Sequence, residues 1–319
     1  MSDVVYPYAP GLISWHYDYA RMAVQVFLVI GGFLSARALV PHMTLEKPGR
    51  MIPVILWKRY LRLARPYIVA LVAAIAAAAF ARKLMPLPST PASPTLAQIL
   101  AHVFLLQDIV GQEALSAGVW YVAIDFQLFT LLLLTLWLAR AIGTRIGGRT
   151  PMLSLFLCAT LATVSLLWLN RQSELDIWAP YFFGAYGLGL LAQWISDQPF
   201  KLPWLVALGL LIAAALLVEW RTRILVAGVT ALLLAATAGN GPSMDWARAT
   251  WITVLSRLSY SVFVIHYSVI LAVSAVVYRM WPANHIANAA GMAAAWLLSL
   301  GAGALLHHYV EKSPQPQLR

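Results

Sequence analysis

Asp125 is the only acid set well inside an apolar run of this chain, in Trp120-Tyr121-Val122-Ala123-Ile124-Asp125-Phe126-Gln127. An ionisable side chain in hydrocarbon costs a few kcal/mol or more, so each one found there is a candidate for function. Two roles are open to it: locking a helix bundle by accepting hydrogen bonds from a neighbouring Arg, Trp or His, or holding charge for a reaction. His266 lies half way along a second run, Leu258-Ser259-Tyr260-Ser261-Val262-Phe263-Val264-Ile265-His266-Tyr267. A neutral imidazole there can abstract or relay a proton; it can equally be a hydrogen-bonded core residue. The basic phrase Lys58-Arg59-Tyr60-Leu61-Arg62-Leu63-Ala64-Arg65-Pro66 offers guanidinium forks that match phosphate oxygens. The same phrase can also serve for cytoplasmic retention and contact with anionic lipid.

Other chemistry is poorly represented. His307 and His308 follow the last apolar run beside Glu311, with one carboxylate and no second helix to complete a ligand set, so they read as interfacial residues and no metal is expected. No Gly-rich phosphate loop, no helical His-Glu-x-x-His and no Gly-x-Ser-x-Gly elbow occurs. The single cysteine, Cys158, sits inside an apolar run and excludes a disulfide framework.

The elements that must position these residues are membrane helices. The 319 residues are 61% hydrophobic and 11% charged, and the mean hydropathy is +0.75, far from soluble composition. Nine runs approach the roughly 20 apolar residues a span requires: 23 to 41, 66 to 81, 119 to 139, 152 to 169, 178 to 194, 203 to 218, 224 to 239, 258 to 278 and 286 to 306. The expected fold is therefore an all-α polytopic bundle of about nine transmembrane helices in one domain, residues 1–319. Leu96 to Leu106 is too short to span and reads as an interfacial or re-entrant helix after the Pro-rich loop Pro86 to Pro94. Gly31-Gly32-Phe33 allows close helix packing or a kink. The N-terminus lacks the features of a signal peptide.

The formal charge of +10 resides in short loops, which points to topology and not to a nucleic-acid partner. The stretch from Lys47 to Arg65 reads as a cytoplasmic loop, since it holds Lys47, Arg50, Lys58, Arg59, Arg62 and Arg65. Alternation from there places Arg37, Arg140, Arg145, Arg149, Lys201, Arg248, Arg257, Lys312 and Arg319 inside as well. Arg21, Arg82, Lys83, Arg171, Arg221, Arg223 and Arg279 fall outside, as does the N-terminus, and the C-terminus falls inside.

Four segments, in order, resemble the acyltransferase-3 family of membrane-bound O-acyltransferases. The first is Ala23-Val24-Gln25-Val26-Phe27-Leu28-Val29-Ile30-Gly31-Gly32-Phe33-Leu34. The second is Lys58-Arg59-Tyr60-Leu61-Arg62-Leu63 with Pro66-Tyr67. The third is Trp120, Asp125, Phe126 and Phe129, where Asp stands in place of the usual Glu. The fourth is Ser259-Tyr260-Ser261 with His266, closed by Tyr309-Val310-Glu311-Lys312.

The resemblance implies ten spans and an acyl-CoA donor, expected to be acetyl-CoA, reached from the cytoplasmic side. It implies transfer to a hydroxyl of a glycan or lipid-linked acceptor, as in O-acetylation of a polysaccharide, at a bacterial-type inner membrane. The family's first helix carries an Arg followed eleven positions later by a His, its catalytic base, and no such pair stands before Ala23. With nine runs, the chain reads as the ten-span bundle lacking that helix, and the segment Tyr6 to Tyr19 as a polar loop. His16, the one His in that loop, becomes a candidate base. Asp125 would orient or balance the imidazole, Arg59 and Arg62 would hold the donor's phosphates, and His266 would support the acceptor or act as base. The competing expectations are a proton-coupled transporter relaying through Asp125 and His266, or a non-catalytic membrane assembly subunit.

Overall fold

The structure is a computed structural model and describes residues 1–40, 51–85, 87, 90–147, 150–238 and 250–312. Lys47, Arg50, Arg149, Arg248 and Arg319, counted above among the cytoplasmic cations, lie outside the described residues, as do Pro86, Pro88 and Ser89 of the Pro-rich loop. Among the described residues all regular structure is helical. Eleven helices of the described residues have eight residues or more: α1 (Pro10–Tyr19), α2 (Ala23–Leu39), α3 (Ile52–Leu84), α4 (Leu96–Val103), α5 (Val119–Gly143), α6 (Thr150–Leu167), α7 (Ala179–Ser196), α8 (Leu202–Val218), α9 (Thr222–Thr237), α10 (Thr250–Met280) and α11 (His285–Leu306).

Among the described residues six stretches, not nine, are long and apolar enough to cross a membrane: Pro10–Leu39, Ile52–Leu84, Val119–Gly143, Thr150–Arg171, Val254–Met280 and His285–Glu311. The three runs that fall short are α7, α8 and α9. At 1.5 Å per residue, the 17 residues of α8 and the 16 of α9 rise about 25 Å, less than the roughly 30 Å hydrocarbon core. In α7 the composition is diluted by Pro180, Tyr181, Tyr186, Gln193 and three glycines, and 13 of its 18 residues are buried. It is apolar because it is interior to protein. Six being even, the arithmetic that set the termini on opposite sides no longer applies.

Two segments read as loops are helical. Tyr6–Tyr8 is a 3-10 turn and Pro10–Tyr19 an α-helix, so most of the expected polar loop belongs to the first spanning stretch, Pro10–Leu39. Lys58, Arg59, Arg62 and Arg65 lie within α3, which runs through Pro66 for 33 residues. Lys and Arg are good helix formers, and their long stems cover apolar surface while the heads reach water, so a basic phrase need not end a helix.

The chain divides into two compact units. The first comprises Met1–Asp18, Lys58–Ala123 and Met244–Arg319. Within it, the Tyr260 hydroxyl of α10 donates to the Leu63 carbonyl of α3 at 2.8 Å. Further along, Ala77, Ala78 and Ala81 pack on Leu271 and Ala275. Small side chains let helices approach where lipid offers no hydrophobic drive to associate. The short α4 begins with a full capping box, Thr95 accepting from the Gln98 amide and Gln98 returning a bond to Thr95.

The second unit comprises Tyr19–Trp57 and Ile124–Ser243. Its centre is α7, packed on α2, α6 and α9. Gly32 of α2 faces the Tyr186 carbonyl and Gly189 of α7 faces the Val29 carbonyl, so closely that a Cβ at either would collide with backbone. The Gly31-Gly32 pair therefore serves close packing, and α2 continues unbroken through it. Cys158 is buried in α6.

Candidate active-site residues

His16, Arg59, Arg62 and His266 belong to the first unit, and Asp125 to the second. His266 is half-buried, and its Nδ1 lies 2.6 Å from the Phe263 carbonyl one turn back. A carbonyl can only accept, so Nδ1 carries the proton and the lone pair is left on Nε2. Phe263 is itself fixed: its ring meets Tyr121 edge-on at 5.2 Å between centroids, and Gly118 packs against it. The imidazole thus hangs from a braced turn, with one nitrogen satisfied and the other holding the electron pair of a base.

Arg59 is half-buried and Arg62 exposed, one turn apart on α3, a spacing that puts both guanidiniums on neighbouring positions of one face. The residue between their turns is fastened, since the Tyr60 hydroxyl donates to the Val103 carbonyl at the end of α4 at 2.8 Å. His16 is exposed on α1 beside the exposed Trp15 and Tyr17. It shares no hydrogen bond with His266 among the described residues. Asp125 is 6% exposed. Its Oδ1 and the Tyr186 ring flank Gly31, each within 4 Å of the position a Cβ would take there.

Three further groups of functional type emerge whose partners the sequence did not join. At the end of α11, His307 Nδ1 lies 2.9 Å from Glu311 Oε2, and the buried Ser261 hydroxyl donates to that same oxygen at 2.7 Å. The 307–311 turn is π-helical, an arrangement found often at functional positions. The i, i+4 spacing of His and Glu was the available signal.

The second group surrounds His102, which is fully buried. Its Nδ1 lies 2.7 Å from the Gln98 carbonyl, and its Nε2 accepts from the Leu115 amide at 3.1 Å. Both nitrogens are used, and burial holds its pKa below the ordinary histidine value despite the opposing pull of the Gln98 carbonyl and Asp108. The sequence signal was Thr95 followed three residues later by Gln98, which sets the start of the helix that carries it.

The third is an arginine cluster in the second unit. The Asn170 carbonyl accepts from Arg221 Nη1 and Arg223 Nη2, each at 2.8 Å, and Arg223 Nη1 donates to the Tyr181 hydroxyl at 2.8 Å. Glu219 accepts from Arg221 at 2.6 Å and Arg171 at 2.9 Å; the Arg221 bond first, and Arg171 with it, hold its carboxyl below the usual range. Among the described residues no three His, Cys, Asp or Glu side chains gather as a metal site would require.

A profile of the acyltransferase-3 family, described as an acyltransferase domain, matches residues 2–307. The chain belongs to the acyltransferase-3 family. No curated protein and no solved structure gives a significant match. Family and fold together make this acyltransferase-3 member a multi-pass membrane acyltransferase. All five candidate residues, together with Ser261 and His307, lie inside the matched region, and Glu311 falls four residues beyond it.

Proposed function

We propose that this protein transfers an acyl group, acetyl in the simplest case, from acyl-CoA to a hydroxyl of a glycan or lipid-linked acceptor, with His266 as general base. The observation that carries the assignment of the base is the bond from His266 Nδ1 to the Phe263 carbonyl, which leaves Nε2 as the basic nitrogen. Arg59 and Arg62 suit the donor's phosphates, being a half-buried and an exposed guanidinium one turn apart. Nε2 takes the acceptor's hydroxyl proton as that oxygen attacks the thioester carbonyl. The tetrahedral adduct then collapses, the carbon–sulfur bond breaks, and the departing thiolate takes the proton back from the imidazolium. The ester and free CoA are the products, and the imidazole ends neutral. Asp125, 6% exposed in the second unit, is the charge-balancing acid of this reading.

The test is acceptor-dependent release of CoA thiol from acetyl-CoA by the full chain in native membranes, with mass analysis of the acceptor. An acetylated acceptor that disappears in His266→Ala supports the reading. Proton flux without any covalent product would instead establish a transporter. Replacing Arg59 or Arg62 by Ala is expected to raise KM for acetyl-CoA about tenfold and leave kcat nearly unchanged, as loss of one charge-assisted phosphate contact does.

A further inference from the structure

We propose that His307, held by Glu311, is the base of a second activity in the first unit: hydrolysis of the acyl-CoA thioester by water when no acceptor is present. The inference rests on the acyl-transfer reading for its donor, and it concerns a different imidazole from His266.

The geometry is that of a carboxylate-held base. Glu311 Oε2 lies 2.9 Å from His307 Nδ1 and accepts from the Ser261 hydroxyl at 2.7 Å. An ionised carboxylate can only accept, so Nδ1 carries the hydrogen and Nε2 keeps the lone pair. At His266 the corresponding partner is a neutral carbonyl, whereas a carboxylate also stabilises the imidazolium that forms when the ring takes a proton. The turn is π-helical, closed by the Lys312 amide donating to the His307 carbonyl at 2.8 Å. Both side chains of the pair are 21% exposed, so water reaches them as it does not reach the sealed His102. Ser261 is fully buried and gives its hydrogen to the carboxylate. It fixes Glu311 in place, and the nucleophile is water.

The surroundings select an anionic thioester. Helices α3 and α10 run side by side in the same direction: the Tyr260 hydroxyl meets the Leu63 carbonyl, the Ser268 hydroxyl meets the Ala70 carbonyl, and Leu271 and Ala275 pack on Ala77, Ala78 and Ala81. Ser261 is therefore level with the part of α3 that carries Arg59 and Arg62. Arg257 lies one turn before Ser261 and Lys312 directly after Glu311, both exposed. Such cations draw in a polyanion, and the phosphates of CoA make it one. Its flexible pantetheine arm lets the thioester range away from the arginines that hold those phosphates. Nε2 takes a proton from water as the water oxygen adds to the thioester carbonyl. The adduct collapses, the carbon–sulfur bond breaks, and the departing thiolate takes the proton from the imidazolium. The carboxylic acid and free CoA are the products.

The experiment follows CoA thiol and acetate released from acetyl-CoA by the purified full chain in detergent, without acceptor, in heavy-oxygen water. The expected result is acetate carrying one oxygen from the solvent. Its rate of formation falls about a hundredfold in His307→Ala and about tenfold in Glu311→Gln, where a neutral amide replaces a charged partner, in both through kcat with KM unchanged. Added imidazole restores part of the rate of His307→Ala, which a loss of packing would not allow. His308→Ala, which removes the exposed neighbouring ring set edge-on to Tyr309, leaves the rate as it was. Should His307→Ala fold poorly, Glu311→Gln decides alone, since it keeps an acceptor for the imidazole. The inference is overturned if hydrolysis does not exceed the spontaneous rate, or if it proceeds unchanged in His307→Ala and Glu311→Gln alike. A chain that hydrolyses acetyl-CoA through His307 yet acylates no acceptor defeats the transfer reading alone. One that acylates an acceptor and hydrolyses nothing in its absence defeats the second activity alone.

Discussion

The two histidines His102 and His266 sit in the same unit and differ in what their second nitrogen does. At His102 both ring nitrogens are bonded to backbone and the side chain is sealed from solvent. At His266 one nitrogen is bonded to a carbonyl and the ring is only half-buried. The first geometry spends the whole imidazole on holding the last turn of α4 to the loop before α5. The second spends half of it on orientation and leaves the other nitrogen uncommitted, as the proposed base requires.

The strongest way to break this contrast is to remove each ring. His266→Ala is expected to lower acyl transfer by about 10²- to 10⁴-fold, the usual worth of a general base, with the unfolding midpoint nearly unchanged. His102→Ala is expected to destabilise the fold by about 2–3 kcal/mol, since it opens a cavity and leaves the Leu115 amide without its acceptor; denaturant unfolding in detergent measures it. If the two results were exchanged, the assignment of roles would be reversed. Ser261→Ala tests the third imidazole region more gently. Losing one hydrogen bond to the Glu311 carboxylate should cost about 1–2 kcal/mol, read by the same unfolding.

Acidity sharpens the comparison further. Because burial lowers the folded-state pKa of His102, the unfolded chain binds more protons than the folded one between that lowered value and about 6.5. The His102 contribution is therefore fully present above about pH 6.5 and is lost as pH falls toward the folded value. An unfolding midpoint that drops over this window in wild type, but less so in His102→Gln, is the expected outcome. The smallest effect belongs to Glu219→Gln, which removes an exposed ion pair and should leave the midpoint within measurement scatter.

Much of the fold was legible because apolar length is a strong signal in a chain so rich in Ala, Leu and Val, and the second, third and last apolar runs each lie within helices long enough to span. What failed was the step from apolar to lipid-facing. Helix α7 is apolar yet lined with glycines that face other helices, and the 3.6-residue period cannot distinguish a wall of protein from a wall of lipid. Lys58 to Arg65 misleads for the opposite reason: its charge has the look of a loop where the backbone stays helical. At the candidate site, His266 stood out as an imidazole within an apolar run and the Arg59–Arg62 pair through the family resemblance, and the roles of both are proposals. His102, Glu311 and Asn170 could not be ranked, because their meaning lies in partners 13, 50 and 53 positions away.

The glycine crossing of α2 and α7 also bears on what surrounds the protein. Where Gly32 and Gly189 bring two backbones together, no groove remains wide enough for an acyl chain, so neither lipid tail nor detergent can wedge between these helices. Solubilisation should strip the annulus from the outer helices and leave this seam dry, and the second unit should emerge from the membrane still fastened along the seam of α2 and α7, beside which Gly31, Tyr186 and Asp125 meet.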